Sequence, residues 1–193
     1  MSFTYTIEPN FLTKEECDEI LNFSLKELIL EPSGIVSTYM DSNVNINIRK
    51  SNQVFFPYYT KFPFLLEKMS KLLNKHIFVK GFYLDFEHSQ FQFTEYNTGG
   101  YFNWHNDADG KKIKDYDRYC SVVIQLNDEY DGGDLQIKDN KNKILTIEKG
   151  VGNLILFLSN IEHRVIPVKS GIRYTLVNWV KLIENKNYKK TLL

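Results

Sequence analysis

Apolar side chains recur at helical spacing after Thr13: Ile20, Leu21, Phe23, Leu25 and Leu28. The run opens as Thr-Lys-Glu-Glu, in which Thr13 can cap a helix while Glu16 reaches back to the cap backbone. The spacing predicts a helix over about 14–28. Residues 44–56 alternate apolar and polar, which predicts a strand. Phe62, Phe64, Leu65, Met69, Leu72 and Leu73 return to helical spacing and predict a second helix over about 60–75. From about position 78 the period shortens to two, and the predicted strands are 77–83, 86–96, 101–106, 118–127, 133–138, 143–148, 153–158, 162–168 and 172–182.

Short strands separated by Gly, Asn and Asp turns point to a sandwich, barrel or jelly roll. The two helices would cover an outer face of it. The last hundred residues show no strand–helix alternation, which argues against a doubly wound fold. No repeat or Pro/Gly/Ser linker divides the chain. The expectation is one mainly β domain over 1–193, with 1–76 as helical and strand support and 77–182 as the β core. Composition agrees: 15 % of residues are aromatic, which favours a strand-rich core, and 42 % hydrophobic with 25 % charged excludes wholesale disorder.

Charge narrows the partners. Lys plus Arg and Asp plus Glu are 24 each, so the formal net charge is zero and general nucleic-acid binding by phosphate neutralisation is disfavoured. No apolar run is long enough to span a bilayer, so no membrane is expected. Glu8, Glu15, Glu16, Asp18 and Glu19 crowd the first 20 residues, the wrong sign for a signal or transit peptide, and the expected compartment is the cytoplasm. Cys17 and Cys120 cannot build a disulfide framework or a four-cysteine zinc site. Only four of the cations are arginine, at 49, 118, 164 and 173, and their planar forks single them out among the lysines.

His105-Asn106-Asp107 lies on a predicted strand, where positions two apart share a face. Both side chains can then address one point, although such a triplet by itself is also ordinary surface decoration. His163 follows the apolar strand Leu154–Leu158 and begins another. Alone it reads equally as a hydrogen-bonded, half-buried histidine. Two His and one Asp are, however, the ligands of the facial triad of non-haem Fe(II) oxygenases. Arg173 lies ten positions beyond His163, across Lys169-Ser170-Gly171, which reads as a tight turn. The segments 163–168 and 172–180 would then form a hairpin, with Arg173 on the strand paired to that of His163. A buried arginine there needs an anion, which a dicarboxylate such as 2-oxoglutarate can supply.

Five stretches then occur in order: Tyr96 to Asp107, Arg118 to Asn127, Tyr130 to Leu135, Gly152 to His163, and Gly171 to Trp179. Together they resemble the Fe(II)/2-oxoglutarate-dependent dioxygenases, most closely the prolyl 4-hydroxylase-like branch that includes PKHD-type hydroxylases. The earlier Arg49-Lys50-Ser51 resembles an Arg-x-Ser strand of that branch. The resemblance implies a double-stranded β-helix (jelly roll) with N-terminal helices packed on its major sheet. It implies Fe(II) held by His105, Asp107 and His163, and 2-oxoglutarate anchored through its C5 carboxylate by Arg173. Tyr96 would hydrogen-bond the cosubstrate and Gln125 would line its pocket, Gln125 being equally readable as an inward polar residue satisfied elsewhere. O₂ would complete the cofactor set, with ascorbate as an optional reductant. Iron, Asp107, 2-oxoglutarate and Arg173 sum to zero charge, as suits a site closed to water. The implied reaction is hydroxylation of a prolyl residue in a peptide or protein. The polar loop 107–117 would close over that peptide, and Arg118 at the mouth would contact it.

The remaining residues read more plainly. His76 and His88 have no partner pattern, Cys120 and Trp179 read as core, and Asp131-Gly132-Gly133-Asp134 reads as a hairpin turn rather than a calcium loop. Trp104 and Tyr101 flank the ligand strand and are readable as groove or as packing. Rival readings keep the chemistry on a free amino acid or other small molecule, or make the jelly roll a non-catalytic metal-binding module. Arg173 argues against the latter, since a structural metal needs no anion receptor beside it.

Overall fold

The computed structural model describes residues 5–33, 35–37, 41–43, 47–76, 82–85, 90–108 and 118–184. His88, the loop residues 109–117 and the side chain of His76 lie outside this set. In chain order the elements begin β1 (Tyr5–Glu8), α1 (Lys14–Glu27), β2 (Glu31–Pro32), β3 (Ile35–Ser37), β4 (Asp41–Asn43), β5 (Arg49–Lys50) and β6 (Asn52–Phe56). Next come α2 (Tyr58–Lys61), α3 (Pro63–His76), β7 (Phe82–Asp85), β8 (Phe91–Tyr96), β9 (Tyr101–His105) and β10 (Cys120–Gln125). The chain continues through β11 (Tyr130–Gly132), β12 (Leu135–Lys138), β13 (Ile144–Thr146), β14 (Leu154–Leu158), β15 (His163–Val165), β16 (Val168–Gly171) and β17 (Arg173–Glu184).

Two antiparallel sheets face each other. The major sheet runs β1-β14-β10-β17-β8-β6-β2, with β7 also paired to β17. The minor sheet runs β13-β12-β15-β9-β5. This is the expected mainly β jelly roll. Alternation along the major strands assigns each residue to one of two cores. Cys120, Val122 and Ile124 of β10, Leu154 and Leu156 of β14, and Leu176 and Val180 of β17 face outward and are buried against the helices. Val123, Ile155, Phe157 and Val177 face inward, towards Leu135, Ile137 and Val165 of the minor sheet. The inward layer has room for polar groups because the outward layer carries most of the helix packing.

Helix α1 starts where its capping box predicts. The Glu16 amide donates to Thr13 Oγ1 at 3.2 Å and the Thr13 amide donates to Glu16 Oε2 at 2.8 Å. Its buried face is Cys17, Ile20 and Ser24, while Leu25 is 45 % exposed and falls off the face predicted for it. The predicted helix 60–75 is two helices. Pro63 disfavours helical backbone at Phe62, which takes φ −125° and ψ 78°, and Pro63 itself serves as the first residue of α3. Of the predicted strand 44–56, residues 44–46 lie outside the described set, 47 and 48 form a turn, and Ser51 separates β5 from β6; β1 to β4 were not anticipated because segments this short show too little of any period.

Two hairpin expectations also fail. Tyr130–Gly132 pairs with β16 and Leu135–Lys138 with β13 and β15, so Gly132 and Gly133, both at positive φ, carry the chain from one partner to another rather than closing a hairpin. Likewise β15 pairs with β9 and β12, whereas β17 pairs with β8, β10 and β7. His163 and Arg173 therefore belong to opposite sheets.

Both cysteines are fully buried and unpaired. Burial pushes the Cys17 thiol up to about 11 and the Cys120 thiol up to about 12. The folded protein is expected to be inert to a thiol-specific disulfide reagent at pH 8, and to release both thiols on denaturation. The sign for stability follows. Between the ordinary value of 9.0 and these raised values the unfolded chain ionises its thiols and the folded one does not. The denaturation midpoint should therefore fall between pH 9 and 11.

Candidate active site

Strands β9 and β15 place the first two candidate ligands side by side. His163 lies opposite His105, and Val165 opposite Phe102, so three residues of β9 span two of β15. This bulge turns Phe102 and His105 to the same inward side, although their spacing of three would otherwise part them. Their rings stack with centroids 3.5 Å apart and 15° between planes. His105 Nδ1 lies 2.7 Å from the Asn103 carbonyl, and His163 Nδ1 lies 2.9 Å from the Ile161 carbonyl. Each carbonyl accepts the Nδ1 proton, which leaves both Nε2 lone pairs free.

Asp107 follows the end of β9 and turns back between the two rings. Its Oδ1 is 3.8 Å from His105 Nε2 and its Oδ2 is 3.6 Å from His163 Nε2. One ligand atom from each residue lies within 4.8 Å of the others, a spacing that one metal ion would bridge. The electrostatics favour ligation. Burial, then the neighbouring His163, pushes His105 down to about 3, so it presents a neutral imidazole. Burial resists ionisation of Asp107, but His163 and His105 outweigh it. The Ser121 hydroxyl adds to them, and the carboxyl stays below its usual range.

Arg173 comes from the facing sheet, at the start of β17 and opposite Tyr96 of β8. It is only 2 % exposed, and its Nε and Nη2 have no hydrogen-bond partner. Its guanidinium carbon sits 5.2 Å from the Tyr96 ring centroid. Among the described residues no carboxylate pairs with it. A buried guanidinium left this way is strongly unfavourable without an anion. The cavity between the sheets is lined by His105, Asp107, His163, Arg173, Tyr96 and Trp179, among others. The residues present thus fit both a metal ion, through two free imidazole nitrogens and a carboxylate, and a small dicarboxylate, through the unpaired fork of Arg173.

Other expected residues fall differently. Tyr96 is buried and lines the cavity. Gln125 is buried but is not among the cavity's lining residues. Its Oε1 accepts from the Gly150 amide at 2.9 Å and its Nε2 points to the Glu148 carbonyl, so the strand-connecting loop takes up its amide. Gln125 thus sits as an inward polar residue satisfied elsewhere, the second of its two readings. Arg118 is not among the cavity's lining residues; its Nη1 lies 3.5 Å from the Asp107 carbonyl and its guanidinium 4.1 Å over the ring of Trp179, which is. Trp179 is half-buried in the cavity wall rather than core, because odd-numbered positions of β17 face inward. Trp104 faces away, between Lys138 and Arg164. Sequence reading missed Ser121 and Ser159, which contact Asp107 or each other. Only the inward parity of Ser121 on its strand marked it.

Comparison with known proteins points to a class. Residues 91–181, a little under half of the chain, match the 2OG-Fe(II) oxygenase superfamily, whose cofactors are Fe(II), 2-oxoglutarate and O₂. Within it the likeness runs to the PKHD-type and prolyl-4-hydroxylase-like branch. A PKHD-type hydroxylase of Stenotrophomonas maltophilia is 30 % identical over 108 residues, covering 53 % of this chain and 47 % of that relative. One from Stutzerimonas stutzeri is 29 % identical over 107 residues, 52 % of this chain and 47 % of the relative. The matched stretch therefore spans about half the length of these curated relatives. In structure, a Pseudomonas putida prolyl-4-hydroxylase superposes with TM-score 0.69 at 21 % identity over 93 % of both chains. A Trichoplax adhaerens prolyl hydroxylase in complex with a hypoxia inducible factor peptide gives 0.70 at 19 % identity, over 98 % of this chain and 88 % of that one. At these identities the superpositions speak for the fold.

Proposed function

We propose that the protein is an Fe(II)- and 2-oxoglutarate-dependent dioxygenase that hydroxylates prolyl residues in a peptide or protein. The observation that carries the reading is the buried, unpartnered Arg173 facing the His105–Asp107–His163 cluster across one cavity. In this reading His105 and His163 ligate Fe(II) through Nε2, and Asp107 through its carboxylate. Arg173 receives the C5 carboxylate of 2-oxoglutarate, and Tyr96, across the strand pair from it, adds its phenol. The bound iron and cosubstrate supply oxidative decarboxylation coupled to C–H hydroxylation. The protein fixes ligand geometry, orients the dicarboxylate and keeps water out with the apolar layer around Val123, Phe157 and Val165. A prolyl substrate is supported by two structural neighbours, a prolyl-4-hydroxylase and a prolyl hydroxylase with a peptide bound.

Anaerobic addition of Fe(II) and 2-oxoglutarate should produce a weak visible charge-transfer band. The band should be absent from His105→Ala. Metal binding without any band would remove the oxygenase reading and leave a metal-binding module. Intact-mass analysis of proline-containing peptides should then show a gain of one oxygen, and a gain only on free amino acids would move the substrate class. Arg118, stacked on Trp179 of the cavity wall, is in this reading a substrate contact. Arg118→Ala should raise the peptide KM several-fold while 2-oxoglutarate turnover persists, and an unchanged KM would remove that role.

A further inference from the structure

We infer that Ser121 is a positioning residue for Asp107 and that Ser159 acts on Asp107 through Ser121. The inference rests on the metal site proposed above. Asp107 lies beyond the end of β9, where no ladder partner fixes its side chain. Its backbone is held from the turn after β14, whose Ser159 carbonyl accepts the Asp107 amide at 2.8 Å and the Ala108 amide at 3.0 Å. Its carboxylate is held from the facing sheet. Ser121 Oγ lies 2.6 Å from Asp107 Oδ2, and Ser159 Oγ lies 2.9 Å from Ser121 Oγ. Both serines are fully buried.

The protons in this group can run only one way. An ionised carboxylate accepts and cannot donate, so the single Ser121 proton goes to Oδ2. Ser121 can then only accept from its neighbour, and Ser159 donates to it. Oδ2 is thereby engaged and the carboxylate cannot turn freely, which leaves Oδ1, 3.8 Å from His105 Nε2, for a metal. One-oxygen ligation is what keeps three positions of an octahedron open. Ser121 also occupies an inward strand position beside Val123, where an apolar side chain would pack without the penalty of burying a hydroxyl. Ser159 precedes His163 by four residues, so the same turn links the backbones carrying two of the three candidate ligands.

Co(II), which is stable in air in such sites and coloured, tests this without turnover. Wild type should bind one Co(II) with a visible band, and Asp107→Ala should lose it. Ser121→Ala and the near-isosteric Ser121→Cys should weaken Co(II) binding by about tenfold or more and alter the band, as removal of such outer-shell partners does. Ser121→Thr should restore both affinity and band. Ser159→Ala should weaken binding less and add nothing to Ser121→Ala in the double variant. Folded Ser121→Ala or Ser121→Cys protein with wild-type affinity and spectrum would overturn the positioning role. Full additivity of the two serine substitutions would overturn the relay. If wild type and Asp107→Ala bind Co(II) alike, the metal reading itself falls.

Discussion

Arg173→Met is expected to stabilise the ligand-free protein while removing its response to 2-oxoglutarate. Arg173 is 2 % exposed, lacks partners at Nε and Nη2, and has no carboxylate beside it among the described residues. Without the cosubstrate the fold therefore carries a desolvated charge. Methionine has similar length and no charge, and replacing buried ions with apolar groups of like volume is commonly neutral or stabilising by about 1–4 kcal/mol. With the metal and 2-oxoglutarate at roughly 100 times its dissociation constant, wild type should gain about 2.7 kcal/mol. For a chain of this size that is a rise of roughly 5–10 °C in Tm. The variant should show almost none of it, because a bidentate, charge-assisted contact to the C5 carboxylate is lost. Thermal scans with and without 2-oxoglutarate, each with Co(II) present, read both signs together. A variant less stable than wild type when empty, yet still shifted by 2-oxoglutarate, would place the anchor elsewhere.

The sequence showed the chemistry of the site more readily than its construction. His105 and Asp107 were legible because period two puts them on one face, and Arg173 because an inward arginine demands an anion. Both line one cavity, but not by the expected strand pairing. The turn at Gly171, with φ +76°, joins β16 to β17 and does not pair the His163 strand with the Arg173 strand. Local turn chemistry reports that the chain reverses, not which distant strand it then meets. The bulge between Phe102 and His105 was invisible for the same reason, since it exists only relative to β15. Parity names a face but not what fills it: it leaves both readings of Gln125 open until a loop reaches in for its amide, and it makes Trp179 core where the cavity opens beside it. The helices were legible from caps and spacing, down to the Thr13–Glu16 box. Only the Pro63 break was passed over, where apolar spacing continues across a residue that backbone sterics forbid inside a helix.

The largest stability effect is expected far from that cavity, at Gly152→Ala. Gly152 has φ +77°, and a Cβ added there would lie 1.9 Å from the Leu12 carbonyl oxygen. Two penalties combine. A left-handed backbone with a side chain costs roughly 1–2 kcal/mol. The overlap involves backbone on both sides, so no rotamer relieves it, and the segments must part. Parting them breaks the bond from the Leu12 amide to the Gly152 carbonyl at 3.0 Å and strains that from the Gly152 amide to the Gln125 carbonyl at 2.8 Å. It also lifts Leu12, 1 % exposed, from the core under α1. The sum is about 3–5 kcal/mol, a large part of the usual 5–15 kcal/mol total. Tm should fall by on the order of 10 °C. Gly99→Ala isolates the first penalty, since Gly99 has φ +76° but its added Cβ meets only the tip of Lys50, at 3.4 Å. That variant should lose only about 1–2 kcal/mol. Equal losses in the two variants would mean that the turn before β14 yields, and that the join between α1 and the major sheet is looser than the Leu12–Gly152 bond implies.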